Sequence, residues 1–193
     1  MHQTMHQKAE EISLQDIWEQ VQQLAERVDT LEQVQPKDRL VLGVLSGNLD
    51  TTMAAFIIAL GAAAYGMEVD MFFTFWATAA LRDPKKKAKK SFLGKMFGWM
   101  LPKGSRKLPL SKMNMGGMGP KMIRAVMKMH GAKNLEQLIS DAAAMGIRIH
   151  VCSMSMEVMG LKAEELIDYP HLDFVGVGTF VDLASEAKAT FFL

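Results

Sequence analysis

The sequence predicts an α/β protein with a mainly parallel sheet covered by helices, and three observations carry that expectation. Two apolar runs of strand length, Arg39 to Ser46 (RLVLGVLS) and Glu68 to Trp76 (EVDMFFTFW), flank a long apolar helix from about Thr51 to Tyr65. Both runs are hydrophobic without alternation, as strands are when helices cover both faces of a parallel sheet. After a basic interruption between Arg82 and Gly119, the alternation of helix and strand resumes and continues to Leu193.

The polar stretch 1–12 reads as a disordered tail and holds no apolar signal-peptide core. A helix over 13–35 comes next, opened by the capping signal Ser13-Leu14-Gln15-Asp16. Its apolar residues, Leu14, Ile17, Val21, Leu24, Val28 and Leu31, are spaced 3, 4, 3, 4 and 3 apart. That is a heptad seam, narrower than the stripe of a helix lying on its own globular core. Glutamine and glutamate fill the remaining positions and Pro36 separates the helix from the body of the chain, so self-association into a homo-oligomer is the expectation. The mixture of Leu, Val and Ile along the seam does not choose between two and three strands.

The body runs from 38 to 193. Its first strand ends in the loop Ser46-Gly47-Asn48-Leu49-Asp50, which lacks the GxGxxG and GxxxxGK[ST] patterns, so no nucleotide cofactor is expected there or elsewhere. The runs MAAFIIALGAAAYGM and VDMFFTFWATAAL are each shorter than the roughly 20 residues that span a bilayer, and Glu68 and Asp70 interrupt them. They read as soluble core.

The insert 82–119 breaks the α/β rhythm. Arg82 to Lys112 holds eleven of the 22 lysines and arginines but one of the 21 acids, Asp83, although the whole chain has a net charge of +1. A segment so charged seeks anions. Lys85, Lys86, Lys87, Lys89 and Lys90, interleaved further on with Phe92, Leu93, Phe97 and Trp99, suggest an anionic membrane surface or an acidic partner protein. A solvated surface loop explains the lysines equally well, and no nucleic-acid partner is expected. The second half, KLPLSKMNMGGMGPKM, is adaptable: Asn114, Met115, Gly116, Gly117 and Gly119 suit a lid whose backbone approaches a reacting atom closely. Thioethers at Met113, Met115 and Met118 suit packing better than a soft metal ion, and no metal site is expected.

A helix from about Pro120 to His130 and an Asn134-capped helix to Met145 come next. The β-branched run Ile147 to Val151 is a short buried strand that ends at Cys152. Beyond it lie a short helix near Ala163 to Ile167, a helix from about Thr179 to Ala187, and a last strand, ATFFL.

Cys152 is the one cysteine, which excludes an internal disulfide and suits a reducing cytoplasm. It stands where a strand gives way to Ser153-Met154-Ser155-Met156-Glu157, a helix start. N–H groups at such a junction favour a thiolate and can lower a cysteine pKa from about 8.5 into the range ~3.5–7.5. Ser153, Met154 and Ser155 are the expected stabilisers through their N–H groups, with the Ser155 hydroxyl in addition. His150 shares the face of Cys152 but stands two residues back, about 7 Å away, too far for a direct base. A small buried hydrophobe is the competing reading of a lone cysteine.

Four stretches resemble the DsrE/DsrF-like sulfur-relay family, in its branch with a long basic, Met/Gly-rich insert. They are LSGNLD after the first strand, FTFW at the end of the second, KLPLSKMNMGGMGPKM before the middle helix, and CSMSMEVMGLKAEELID around the cysteine. The resemblance spans Arg39 to Leu193. It implies a flavodoxin-like three-layer α/β/α fold with a mainly parallel five-stranded sheet, oligomerisation and a part in sulfur trafficking. Cys152 then inherits the role of a persulfide carrier, taking sulfane sulfur from a rhodanese-like or TusA-like protein and passing it on. Some relatives carry a further cysteine in the insert; without one here, discharge needs another molecule, which fits a cytoplasmic relay better than a self-contained reductase. The alternative is a non-catalytic oligomeric scaffold that attaches through the basic insert to the membrane periphery or an acidic partner. Thiol peroxidase activity is a third and weaker reading, suggested only by a reactive lone cysteine.

Overall fold

The computed structural model describes residues 14–90 and 92–193; the expected tail 1–12 and the capping Ser13 lie outside the described residues. The chain divides into two units at Pro36. The first contains helix α1, Leu14–Val34, with Asp16 in its first turn, where a carboxylate favours the helix dipole. Leu14, Ile17, Val21, Leu24, Val28 and Leu31, the heptad seam, are all exposed.

The second unit is built on strands β1 (Lys37–Val44), β2 (Glu68–Phe73), β3 (Arg148–Cys152), β4 (Leu172–Val175) and β5 (Ala187–Phe192). They form one sheet in the order β4-β3-β2-β1-β5 with every neighbour parallel. The helices are α2 (Leu49–Ala64), α3 (Phe92–Met100), α4 (Met118–Met129), α5 (Leu135–Ala144), α6 (Ser153–Val158) and α7 (Val177–Glu186). This is the flavodoxin-like α/β class expected. The second strand is shorter than its apolar run: it stops at Phe73, and Phe75–Leu81 form a 3-10 turn instead, buried from Ala77 to Leu81.

The strand order explains the two faces. From β1 to β2 to β3 to β4 the chain steps repeatedly in one direction, and right-handed crossovers place the connecting helices on one side. The step from β4 back to β5 runs the other way, so α7 lands on the opposite side. Period-two alternation then sorts the strands. Leu40, Leu42, Val44, Met71, Phe73, Ile149 and Val151 join Phe56 and Ala59 of α2 and Leu135, Leu138 and Ala142 of α5 in the main core. Val41, Phe72 and Cys152 meet Phe180 of α7 in a second, smaller cluster.

Helix α5 opens with the cap expected at Asn134, here completed as a capping box: its side chain accepts from Gln137 N while the Gln137 side chain accepts from Asn134 N. The insert is tied back at its start and at α3. Arg82 bridges to Leu166 and donates to the carbonyls of Gly98, Leu101 and Pro102. Gly160 (φ +61°) lies against Gly94 so closely that a Cβ would sit 2.5 Å from its Cα. Helix α3 thus packs on the turn at the end of α6.

Candidate functional site

Cys152 is the last residue of β3 and the residue before α6, on the sheet face covered by α7. It is 2% exposed. The thiol is therefore covered by apolar side chains, Phe180 among them, rather than open to solvent.

Its polar surroundings nonetheless favour charge. Burial pushes the thiol up, but the Ser155 hydroxyl and N–H, the Thr74 hydroxyl and the Met154 N–H together hold it below the ordinary thiol value. Thr74 Oγ1 and Ser155 Oγ are 2.6 Å apart and both residues are buried. One hydroxyl hydrogen joins this pair, and the other remains for the sulfur.

Local sequence puts Thr74 there. The last β2–β3 pair is Phe73 with Val151, so Thr74 lies one step on, level with Cys152. Phe75 then takes φ +45°, a left-handed value that is strained for a bulky residue, and the chain leaves the sheet at once. Gly47 makes room for that turn, since a Cβ there would lie 2.4 Å from the Trp76 carbonyl oxygen. Leu45, Phe75, Trp76 and Met154 at this end of the strands are exposed.

The expected site residues divide. Met154 and Ser155 come to the sulfur as the helix start predicts. Ser153 is next in the chain, but its hydroxyl donates to Val175 O of β4, 3.3 Å away. The expected lid does not lie over Cys152. Asn114 accepts from Leu110 N, Ser111 bonds to Asp50 at the start of α2, and Asn114, Gly116 and Gly117 line a cavity of about 420 Å³ together with Arg106, Lys107 and Arg124. Gly119 is fixed by its own loop, since a Cβ there would come within 2.0 Å of Met113 O, and Met115 is exposed with φ +45°. Chain tethering at Asp50 decides the placement, and the composition of the loop holds no sign of it.

The lysine run divides too. Lys85, Lys87 and Lys89 are exposed, but Lys86 pairs with Asp168 at 2.5 Å and Lys90 turns inward to Glu165 at 2.6 Å. Those two are therefore not part of a free cationic surface.

Thr74 carries no mark of its own in the sequence, although it lies within the FTFW stretch; its role depends on register across two strands. His150 is bound elsewhere, as its distance from Cys152 implies. Its Nε2 lies 2.7 Å from Asp70 Oδ1 and its Nδ1 2.6 Å from Asp173 Oδ1. With a carboxylate on each ring nitrogen both must donate, which only the imidazolium can do. Burial works against that charge, yet the two carboxylates raise the His150 pKa overall. Asp70 also accepts Arg148 Nε at 2.7 Å and Nη2 at 2.9 Å. Burial pushes Asp70 up, but Arg148 and His150 outweigh it and hold the carboxyl at about 2.

Residues 36–192 match the model of the DsrE/DsrF/DrsH-like family. The chain is 46% identical over 156 residues to the uncharacterized protein YrkE of Bacillus subtilis (strain 168), covering 80% of this chain and 96% of that one. It is 28% identical over 159 residues to the sulfur carrier protein DsrE2 of Allochromatium vinosum, covering 80% and 98% respectively. Among solved structures, the ychN protein from E. coli matches 80% of this chain and 98% of its own at a TM-score of 0.46 and 10% identity.

Proposed function

This chain belongs to the DsrE/DsrF/DrsH-like family, and from that premise we propose that it is a sulfur carrier that holds sulfane sulfur as a persulfide on Cys152 and relays it between partner proteins. The observation that carries this reading is the set of donors around a buried sulfur, which lowers the thiol pKa where burial alone would raise it. The similarity to a sulfur carrier protein supports the same class of chemistry.

In the proposed step the Cys152 thiolate attacks the outer sulfur of a donor persulfide, R–S–SH. The new bond joins Cys152 Sγ to that sulfur, the donor S–S bond breaks, and its electron pair leaves on the donor as R–S⁻. The product is Cys152–S–SH, ionised at neutral pH, and delivery to an acceptor thiolate is the same exchange in reverse. No oxidant or reductant enters. The Thr74 and Ser155 hydroxyls and the Met154 and Ser155 N–H groups stabilise the anion before and after loading. Because Cys152 is 2% exposed, transfer runs through a conformation in which the Phe180 side of the cover has moved. The exposed apolar rim of Leu45, Phe75, Trp76 and Met154 is where a rhodanese-like or TusA-like partner would seat.

The exposed heptad seam of α1 favours assembly into a homo-oligomer, and the exposed Lys85, Lys87 and Lys89 favour a contact with an anionic membrane or an acidic protein. A scaffold that works by those two surfaces alone is the competing reading. Intact mass after incubation with a persulfide donor separates them. The wild type gains about 32 Da, the mass of one sulfur, and Cys152→Ser gains nothing. If wild type and variant both stay unmodified, the scaffold reading stands alone.

A further inference from the structure

The insert holds a cavity that sulfur transfer does not use. It has a volume of about 310 Å³ and is walled by the loop after Arg82, by α3 and by Lys103, with Glu165 at its base. A volume of roughly 300 Å³ is at the small end of ligand sites.

Its base is charged and buried. The side chains of Arg82, Lys90 and Glu165 are 7%, 6% and 7% exposed. Glu165 Oε2 lies 2.6 Å from Lys90 Nζ and Oε1 lies 3.5 Å from Arg82 Nη2, so one carboxylate faces two cations. Arg82 has further acceptors in three carbonyl groups, those of Gly98, Leu101 and Pro102. Lys90 does not: its ammonium is close to Glu165 but makes no hydrogen bond of acceptable geometry. An ammonium has three donors to satisfy, and a buried cation left in surplus is costly.

The walls add charge of the same sign. Lys86, Lys87, Lys95 and Lys103 line the cavity, while the remaining acid, Asp83, turns back to accept from Lys85 N. Among the described residues, no ion pair engages Lys87, Lys95 or Lys103. Gly98 keeps the base open, since a Cβ there would lie 3.0 Å from Lys90 Nζ. Trp99 stands at the rim, 80% exposed.

We propose that this cavity binds a polyvalent phosphate-type oxyanion, with Lys90 and Arg82 beneath it and Lys87, Lys95 and Lys103 around it. The anion supplies the acceptors that Lys90 lacks and offsets the buried surplus of positive charge. The site is independent of Cys152, so its loss and the loss of sulfur transfer are separate events.

The test uses the full chain with Trp18→Phe and Trp76→Phe, which leaves Trp99 as the one indole, and inorganic pyrophosphate as the probe. Saturable change in Trp99 emission is expected, weakened about tenfold or more by Lys87→Gln/Lys95→Gln/Lys103→Gln and by added salt. The control Lys121→Gln/Lys128→Gln, on α4, leaves affinity within about twofold, and Cys152→Ser leaves it unchanged. Vesicles of phosphatidylcholine with and without phosphatidic acid identify the source of the anion. Binding to the acidic vesicles that pyrophosphate displaces indicates a headgroup, whereas pyrophosphate binding without vesicle binding indicates a soluble phosphate; either supports the site. No saturable pyrophosphate response, or equal weakening in the α4 control, overturns it.

Discussion

The α7 face of the sheet has two ends that solve the same problem in opposite ways. At the N-terminal ends of the strands, Asp70 is fully buried and is held ionised by full charges, Arg148 and the His150 imidazolium, with Arg39 Nε 3.3 Å away. At the C-terminal ends, Cys152 is almost as buried and is favoured as an anion only by dipoles: two hydroxyls and two N–H groups. Burial disfavours both charges. Full counter-charges lock the first group in one state and join β1, β2, β3 and β4 across the sheet. Dipoles leave the second able to gain and lose a proton, which the proposed carrier role needs.

Removing the lock has the largest effect. Asp70→Ala leaves the buried His150 with Asp173 alone and the partly exposed Arg148 with Glu68 alone, and lowers stability by about 3 kcal/mol in urea unfolding. Cys152→Ser, at the other end, costs less than about 2 kcal/mol by the same measurement. A similar cost at both ends would erase the distinction drawn between them.

The cover over the thiol is the next test. Phe180 packs on Phe72 with ring centroids 5.0 Å apart and on Phe192 at 5.5 Å. Phe180→Ala is expected to cost about 3 kcal/mol, and also to speed alkylation of Cys152 under native conditions severalfold, beyond what global unfolding supplies. Alkylation at the wild-type rate would mean that other groups seal the sulfur.

Much of this fold is legible in the sequence, and the parts that are not share a cause. Three strands, the last strand, and helices α2, α4, α5 and α7 come from local periodicity. Strand β4 has no such signal: its four residues, LDFV, form an edge strand whose burial does not alternate clearly. Asp70 is legible as a charge interrupting two apolar runs, but its partners Arg148 and His150 come from a strand 78 and 80 residues away. Thr74 is hidden for the same reason. The glycine-rich loop has the composition of a lid, and only its tether to Asp50 places it elsewhere. Sequence reveals what a residue is suited for; cross-strand register decides what it meets.

Linkage to pH separates the ends further. Asp70 is depressed from 3.8 to about 2, so its contribution of about 2 kcal/mol is present above pH 3.8 and is lost as pH falls toward 2. His150 is raised, so its contribution is present below its ordinary value of 6.5 and is lost as pH rises through the folded-state pKa. Stability measured against pH is therefore expected to fall on both flanks in the wild type. The acid flank should flatten in Asp70→Asn, and the alkaline one in His150→Gln.

The smallest change concerns the thiol itself, and it bears most directly on the claim that donors outweigh burial at Cys152. Ultraviolet thiolate absorbance, titrated against pH in a protein with this single cysteine, should show a midpoint below the ordinary cysteine value of about 8.5. In Thr74→Val/Ser155→Ala the midpoint should move up by about 1 pH unit, the loss of roughly two weak donors. A wild-type midpoint at or above the ordinary value, unmoved by that double substitution, would contradict the account.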